Sequence, residues 1–199
     1  VGRTTDTEQG TVDSPVPLGE AGLASEATAT DGGTATVDAT QTVERAVEAE
    51  RERVETLLER EEGINHAEVR AEVQETMTEN VNVFREEGNL KQALRDIRQA
   101  REDYQDVAVA DPSRTFNTDL TQTIETRNLL DVAEAITLGA LARDEFRGAH
   151  WRKRHQERKD DEWLKHTMLS WEDGDPDLWY KPVVLEGEAK TYEPKVRSY

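Results

Sequence analysis

Cysteine is absent from the 199 residues, which excludes disulfides, thiolate metal sites and cysteine nucleophiles within the chain. Aromatic residues make up only 6%, too few for a thick core, so the apolar material has to be concentrated on helix faces. No apolar run is long enough to span a bilayer, and the first residues lack the basic-plus-apolar pattern of a signal segment. Neither a GxGxxG nor a Walker-type phosphate loop occurs, so the sequence offers no basis for nucleotide binding by this piece alone. A GxSxG nucleophile turn is missing too. The chain begins at Val1 without an initiator methionine, which suggests a fragment or a processed product.

Acid is what the chain has in excess. Its 43 Asp and Glu residues against 25 Lys and Arg leave a net charge of −18. Phosphate binding needs clustered cations that release counterions, so nucleic acid is not an expected partner. Excess carboxylate, Arg in preference to Lys and absent Cys fit adaptation to high salt, because at ~1 M ionic strength the Debye length falls to about 3 Å and screens self-repulsion.

Residues 1–40 hold half of the 12 glycines together with many Thr, Ala, Asp and Glu. Such a stretch cannot bury enough apolar area to offset an ordering cost of ~1–2 kcal/mol per residue, and reads as a disordered linker. From Thr42, apolar residues recur at three- and four-residue steps. Val43, Val47, Val54 and Leu58 predict an amphipathic helix closed by Gly63 as a carboxy-terminal cap. Val69, Val73, Met77 and Val81 mark a second helix, broken at Gly88 and Asn89, and Leu90, Leu94, Ile97 and Tyr104 a third. Asp106 to Asn117 reads as a loop. Leu120, Ile124, Leu129, Val132, Ile136 and Leu138 then mark the longest and least charged helix, expected at the centre of the bundle. Beyond Trp163 the period shifts towards two. Met168 to Glu172 and Leu178 to Val184 flank a turn at Asp173-Gly174-Asp175-Pro176, as in a hairpin. The expected fold is mainly α, a spectrin-like three-helix bundle over 41–166, followed by a β-hairpin and extended tail over 167–199.

Metal chemistry finds no support in the histidines: His66 opens a helix alone, and His150 with Glu145 lacks the HExxH spacing. The abundant helical carboxylates read as solvated charges paired loosely with Arg at i+4. One segment is different. Arg143 to Thr167 carries Arg147, His150, Arg152, Arg154, His155, Arg158 and His166 among Phe146, Trp151 and Trp163. Its arginines either staple the long helix to the hairpin or form a docking surface for a partner domain or an anion.

The run Arg147-Gly148-Ala149-His150-Trp151-Arg152, followed by Glu157-Arg158-Lys159-Asp160-Asp161-Glu162-Trp163-Leu164-Lys165-His166-Thr167, resembles the RGAHxR and ERDDxxWLKHT signature of the carboxy-terminal domain of succinate dehydrogenase and fumarate reductase flavoproteins. Gln74-Glu75-Thr76-Met77, Asn80-Val81 and Val83-Phe84-Arg85 are similar to the family's early helix, and Lys195-Val196-Arg197-Ser198-Tyr199 to its carboxy terminus. Phe146, Arg154 and Gln156 depart from the usual Ser, Asp and Pro.

The resemblance implies a domain that packs on the flavin-binding domain of the same subunit, near an iron–sulfur subunit and, through it, membrane anchor subunits, peripheral on the cytoplasmic side of the plasma membrane. It implies FAD in the complete subunit, none bound by this chain alone, and no catalytic, cofactor-binding or metal-ligating residue here. The complete subunit would move hydride between succinate and FAD and pass electrons through iron–sulfur clusters to quinone. Arg147, His150, Arg152, Trp163 and His166 become the expected domain-docking residues. Two alternatives stand beside this: a domain of a related flavoprotein such as an L-aspartate oxidase or adenylylsulfate reductase, and a free-standing helical interaction module without catalysis. If the acidity is a salt adaptation, helical circular dichroism is expected to fall as salt is diluted away, and full helicity in dilute buffer would contradict it.

Overall fold

The computed structural model describes residues 39–172, 175–187 and 190–195. Most of the expected linker, the hairpin tip at Asp173 and Gly174, and the terminal Val196-Arg197-Ser198-Tyr199 lie outside the described residues.

Helix α1 (Ala39–Glu59) carries the expected periodicity but is not part of the bundle. Val43 and Val47 stay exposed, and only near its end does Leu57 become buried. The chain then enters strand β1 (Ile64–Asn65). Gly63 is not a left-handed helix cap, since Gly148 is the one glycine with positive φ among the described residues. Its role is close approach: a Cβ there would lie 2.2 Å from the carbonyl oxygen of Asp106.

Helix α2 (His66–Asn80) starts where Asn65 accepts a hydrogen bond from the Ala67 N–H at 2.8 Å, the usual way to satisfy an orphan donor of the first turn. It ends at Asn80, earlier than the expected break, and the chain runs through strand β2 (Phe84–Arg85). Gly88 and Asn89 do not break a helix; they lie in the first turn of α3 (Glu87–Tyr104). Helix breakers are tolerated in a first turn, where several N–H groups have no helical partner anyway. Strand β3 (Val107–Ala108) follows, pairing in parallel with β1 through Ile64↔Val107. The segment expected to be only a loop thus holds a strand. Asn117 caps the next helix by accepting from the Leu120 N–H at 2.8 Å.

Helix α4 (Thr118–Ala142) is the longest, as expected, but its inner face coincides only in part with the predicted apolar stripe, of which Leu129 packs against the core. The buried positions are Thr123, Thr126, Leu130, Ala133, Glu134, Thr137 and Ala140, whereas Val132 and Ile136 are 58% and 44% exposed. Small residues let helices approach closely, and the buried threonines satisfy their hydroxyls on the carbonyls four residues back: Thr123 on Asp119 at 2.9 Å, Thr126 on Gln122 at 2.8 Å, Thr137 on Ala133 at 2.8 Å.

Helices α2, α3 and α4 form the three-helix bundle. Val69 and Val73 of α2 meet Ile97, Ala100 and Tyr104 of α3 and Leu130 and Ala133 of α4. A second cluster joins Val81, Leu90, Ala93 and Ala140, and Met77 packs against both. Full burial of a Leu or Ile contributes ~1.5–3 kcal/mol. Glu134, only 4% exposed, ties α4 to α3 by accepting from Arg98 Nε and Arg101 Nη2, both at 3.0 Å. His66, expected to stand alone, is buried with Nε2 3.2 Å from Asp119 at the start of α4.

After α4 the chain forms strand β4 (Trp151–Arg152), which pairs in parallel with β2 through Phe84↔Trp151 and Arg85↔Arg152. A single turn, α5 (Asp160–Trp163), leads into the hairpin of β5 (Lys165–Glu172) and β6 (Asp175–Pro182), antiparallel from Lys165↔Pro182 to Glu172↔Asp175. The strands therefore begin earlier than the periodicity suggested, and Asp175 and Pro176 belong to the ladder rather than to the turn.

The two glycines separate cleanly in their effects. Gly63→Ala is expected to cost about 1–3 kcal/mol by forcing β1 away from β3, while Gly88→Ala, with nothing within 4 Å of the added Cβ, should leave stability unchanged or raise it by up to about 1 kcal/mol; urea unfolding of both variants checks the contrast.

Candidate docking site

The segment after α4 is irregular, and a buried carboxylate organises it. Glu145 has no exposed surface. Arg147 grips it with Nε to Oε1 at 2.7 Å and Nη2 to Oε2 at 2.9 Å, a bidentate fork that matches carboxylate geometry. Arg143 Nη1 donates to Oε1, and the Lys159 N–H donates to Oε2 at 3.1 Å. Burial by itself would push the Glu145 carboxyl up, but these donors prevail and hold it below the ordinary range.

Each cation of this hub reaches a second element. Arg147 Nη2 also donates to Asp160 at 2.7 Å, and Arg158 clamps the same carboxylate at 2.7 and 2.6 Å. Arg158 first and Arg147 second hold the Asp160 carboxyl down at about 2. Arg143 turns towards the hairpin, donating to the Trp163 carbonyl at 3.0 Å and to the Lys165 carbonyl. Its guanidinium carbon lies 5.2 Å from the Trp163 ring centroid. The stapling expected of these arginines is thus real, and it ends on buried Glu145, half-exposed Asp160 and main chain.

Arg152, 3% exposed, donates through Nη1 to the carbonyls of Ala140 and Leu141, both at 2.9 Å. It closes the carboxy-terminal end of α4, where orphan carbonyls and the helix dipole favour a cation. His150 bridges two elements: Arg85 Nη1 lies 2.7 Å from Nδ1, and Nε2 lies 2.9 Å from the Arg143 carbonyl. A guanidinium can only donate, so Nδ1 accepts and the Nε2–H donates to the carbonyl. The imidazole is therefore neutral. Desolvation, with Arg85, Arg152 and Arg143 close by, depresses its pKa below the ordinary value.

Of the residues expected at the site, Arg147, His150 and Arg152 are gathered around the end of α4, and Trp163 packs against Arg143. His166 lies outside the hub, exposed on β5 opposite Lys181 and at the margin of the adjoining cleft. The sequence reading missed Arg85, delivered from far upstream by the β2–β4 pairing, and Glu145, whose carboxylate was taken for an ordinary surface charge. Its position midway between Arg143 and Arg147 was the one available signal. Beside the hub lies an open cleft of about 560 Å³ between the end of α4 and the hairpin. Ile136, Gly139, Trp163, Met168 and Val183 supply its apolar lining.

Such a bundle, followed by a hairpin and tied to it by an arginine–glutamate hub, is a helical domain. The chain belongs to the family described as fumarate reductase flavoprotein carboxy-terminal domains, which matches residues 70–199. It is 39% identical over 134 residues to the mitochondrial succinate dehydrogenase [ubiquinone] flavoprotein subunit of Oryza sativa subsp. japonica, covering 66% of this chain and 21% of that protein. It is 37% identical to the fumarate reductase flavoprotein subunit of Haemophilus influenzae, over 67% of this chain and 22% of the relative. A chain of E. coli quinol fumarate reductase shares the fold at a TM-score of 0.67 and 30% identity, over 80% of this chain and 27% of that one. Adenylylsulfate reductase of Archaeoglobus fulgidus has the same fold at a TM-score of 0.63 and 19% identity. The chain thus spans about a fifth to a quarter of the length of these relatives.

The hub's titrations share one sign. The folded pKa of His150 lies below 6.5, so the unfolded chain binds more protons as pH falls through that value, and stability present above it is lost on acidification. Glu145 and Asp160, depressed from 4.5 and 3.8, add stability that is complete above those values and lost as pH falls through the folded ones. Urea midpoints are expected to decline first below pH 6.5 and again below the carboxylate range; His150→Gln should remove the first stage and keep the second.

Proposed function

We propose that this chain is the docking domain of a flavoprotein subunit that interconverts succinate and fumarate. In that subunit it holds the flavin-binding part in its working position. The observation that carries this is the outer face of α4. Val132 and Ile136 sit one helical turn apart, both exposed, and the row continues through Gly139 and Arg143 into the cleft beside the hub. A helix normally turns its large aliphatic residues inward; α4 buries Leu130 among threonines and alanines but leaves Val132 and Ile136 as an apolar strip without cover in this domain.

The length relation to the relatives supplies the cover: most of a succinate dehydrogenase or fumarate reductase flavoprotein lies outside the span that this chain matches. The described residues do not fit FAD, since the short parallel pairs β1–β3 and β2–β4 lead into no glycine-rich phosphate turn. The flavin and the dicarboxylate would be held by the rest of the subunit. An iron–sulfur subunit and membrane anchors are the further partners of this reading, with succinate oxidation as a step of the tricarboxylic acid cycle. No helix among the described residues is long and apolar enough to cross a membrane, in keeping with peripheral attachment. The net charge of −18 supports a haloarchaeal type of subunit working in high salt. The 19% identity to adenylylsulfate reductase, against 39% to a succinate dehydrogenase flavoprotein, favours dicarboxylate chemistry over that alternative.

Arg147, His150, Arg152, Trp163 and His166 take part unequally in this reading. The first four build and brace the hub behind the cleft, and His166 stands at its open side. Ile136→Asp in the complete subunit tests the docking. The side chain is exposed in this domain, so the bundle itself should change by no more than about 0.5 kcal/mol. Succinate turnover is expected to fall about tenfold or more, the equivalent of ~1.4 kcal/mol of lost docking, and limited proteolysis should release the domain. Unaltered turnover and cleavage would end the docking reading.

A further inference from the structure

Basic side chains are outnumbered in this chain, and around the cleft most are already committed. Arg85 donates to the Val81 and Asn82 carbonyls and to His150. Arg143 and Arg147 converge on Glu145, and both nitrogens of His150 are used.

Lys165 is different. Its ammonium lies 4.1 Å from the Tyr180 ring centroid and 4.7 Å from that of Trp163, and no carboxylate or carbonyl among the described residues bonds it. The two rings stand edge to face at 5.7 Å. Aromatic faces attract a cation and restrict where it sits, but they leave its charge uncancelled. The guanidinium of Arg143 lies against the same indole, so two cations share one ring. The lip of the cleft is therefore positive in a chain of net charge −18, and a half-buried ammonium held in place without a counter-charge is incomplete as it stands.

We infer that Lys165 is the electrostatic contact of the docking face and takes an Asp or Glu carboxylate from the flavin-binding part of the same flavoprotein. This rests on the docking reading above. A protein side chain is favoured over a small free anion because the wall of the cleft is apolar. Ile136, Met168 and Val183 adjoin the site and run on to exposed Val132, and only a polypeptide surface could cover that strip while presenting a carboxylate to Lys165. His166 lies on the opposite face of β5 from Lys165, by the alternation of the strand, and is not assigned to this contact.

The test uses the complete subunit, acetylated briefly with an amine-reactive ester and read by mass spectrometry, with Ile136→Asp as the undocked reference. Lys165 is expected to react at least about fivefold more slowly in the docked wild type than in Ile136→Asp. In parallel, Lys165→Gln should release the domain to protease more readily and flatten the dependence of release on salt, and Lys165→Arg should restore both. Suppose Ile136→Asp undocks the domain but Lys165 reacts equally in both forms, or Lys165→Gln keeps the salt dependence of the wild type. The carboxylate contact is then wrong and the docking reading survives. Should Ile136→Asp fail to undock anything, the docking reading itself falls. Protection of Lys165 by millimolar succinate or inorganic phosphate in the undocked variant, equal to that in the docked protein, would assign the site to a small anion and overturn the proposal.

Discussion

A carboxylate deprived of all contact with water stays ionised only where donors replace the hydration it has lost, and among the described residues after the bundle that condition is met at Glu145. Arg143, Arg147 and the Lys159 N–H converge on it. Through them the end of α4, the turn at Asp160 and the first residues of the hairpin become one body. The β2–β4 pairing, the His150 bridge and the Arg152 contacts with the end of α4 brace the same stretch. A buried ion pair is weak as a source of net stability, because desolvation consumes most of the Coulomb gain. Its strength lies in the penalty for breaking it, since loss of Arg147 takes the two-pronged donor from a carboxylate that water cannot reach. The hub therefore specifies one arrangement of the hairpin relative to α4 more than it adds to the stability of the bundle.

The bundle was largely legible in the sequence, because Val69, Val73, Leu90, Ile97 and Tyr104 recur at helical spacing and every one of them is buried. The error on α4 has a physical reason. That helix has two faces able to pack, one of threonine and alanine around Leu130 and one of valine and isoleucine. Hydropathy favours the second, while close helix approach selects the first. Gly63 and Gly88 misled for a related reason: a glycine marks a backbone peculiarity without saying which, and one here serves close approach while the other lies in a helical first turn with open space around it.

The segment from Arg143 to Thr167 was recognisable from its charge and aromatic content, yet its internal wiring was not. Arg85 joins through two-residue strands too short to leave any periodic trace, and Glu145 and Glu134 look like surface acids until their exposure is known. Only three-dimensional placement distinguishes a solvated carboxylate from one that carries a network. The same holds for Lys165, one basic residue among several in its segment, which becomes distinctive only when its neighbours' charges are seen to be spent.

The parallel pairing of β2 with β4 joins a strand that follows α2 to one that follows α4. A chain emerging from the ribosome can assemble α2, α3 and α4 as soon as residue 142 is clear, because their contacts are comparatively local. The hub has to wait for Arg147, His150, Asp160 and Lys165, and His150 can be gripped only by an Arg85 already in place at the top of α3. Maturation thus has a built-in order, in which the hub and the hairpin are finished last, on a bundle that has already formed. A nascent chain interrupted before that point would present a folded bundle whose hub, hairpin and cleft are still missing.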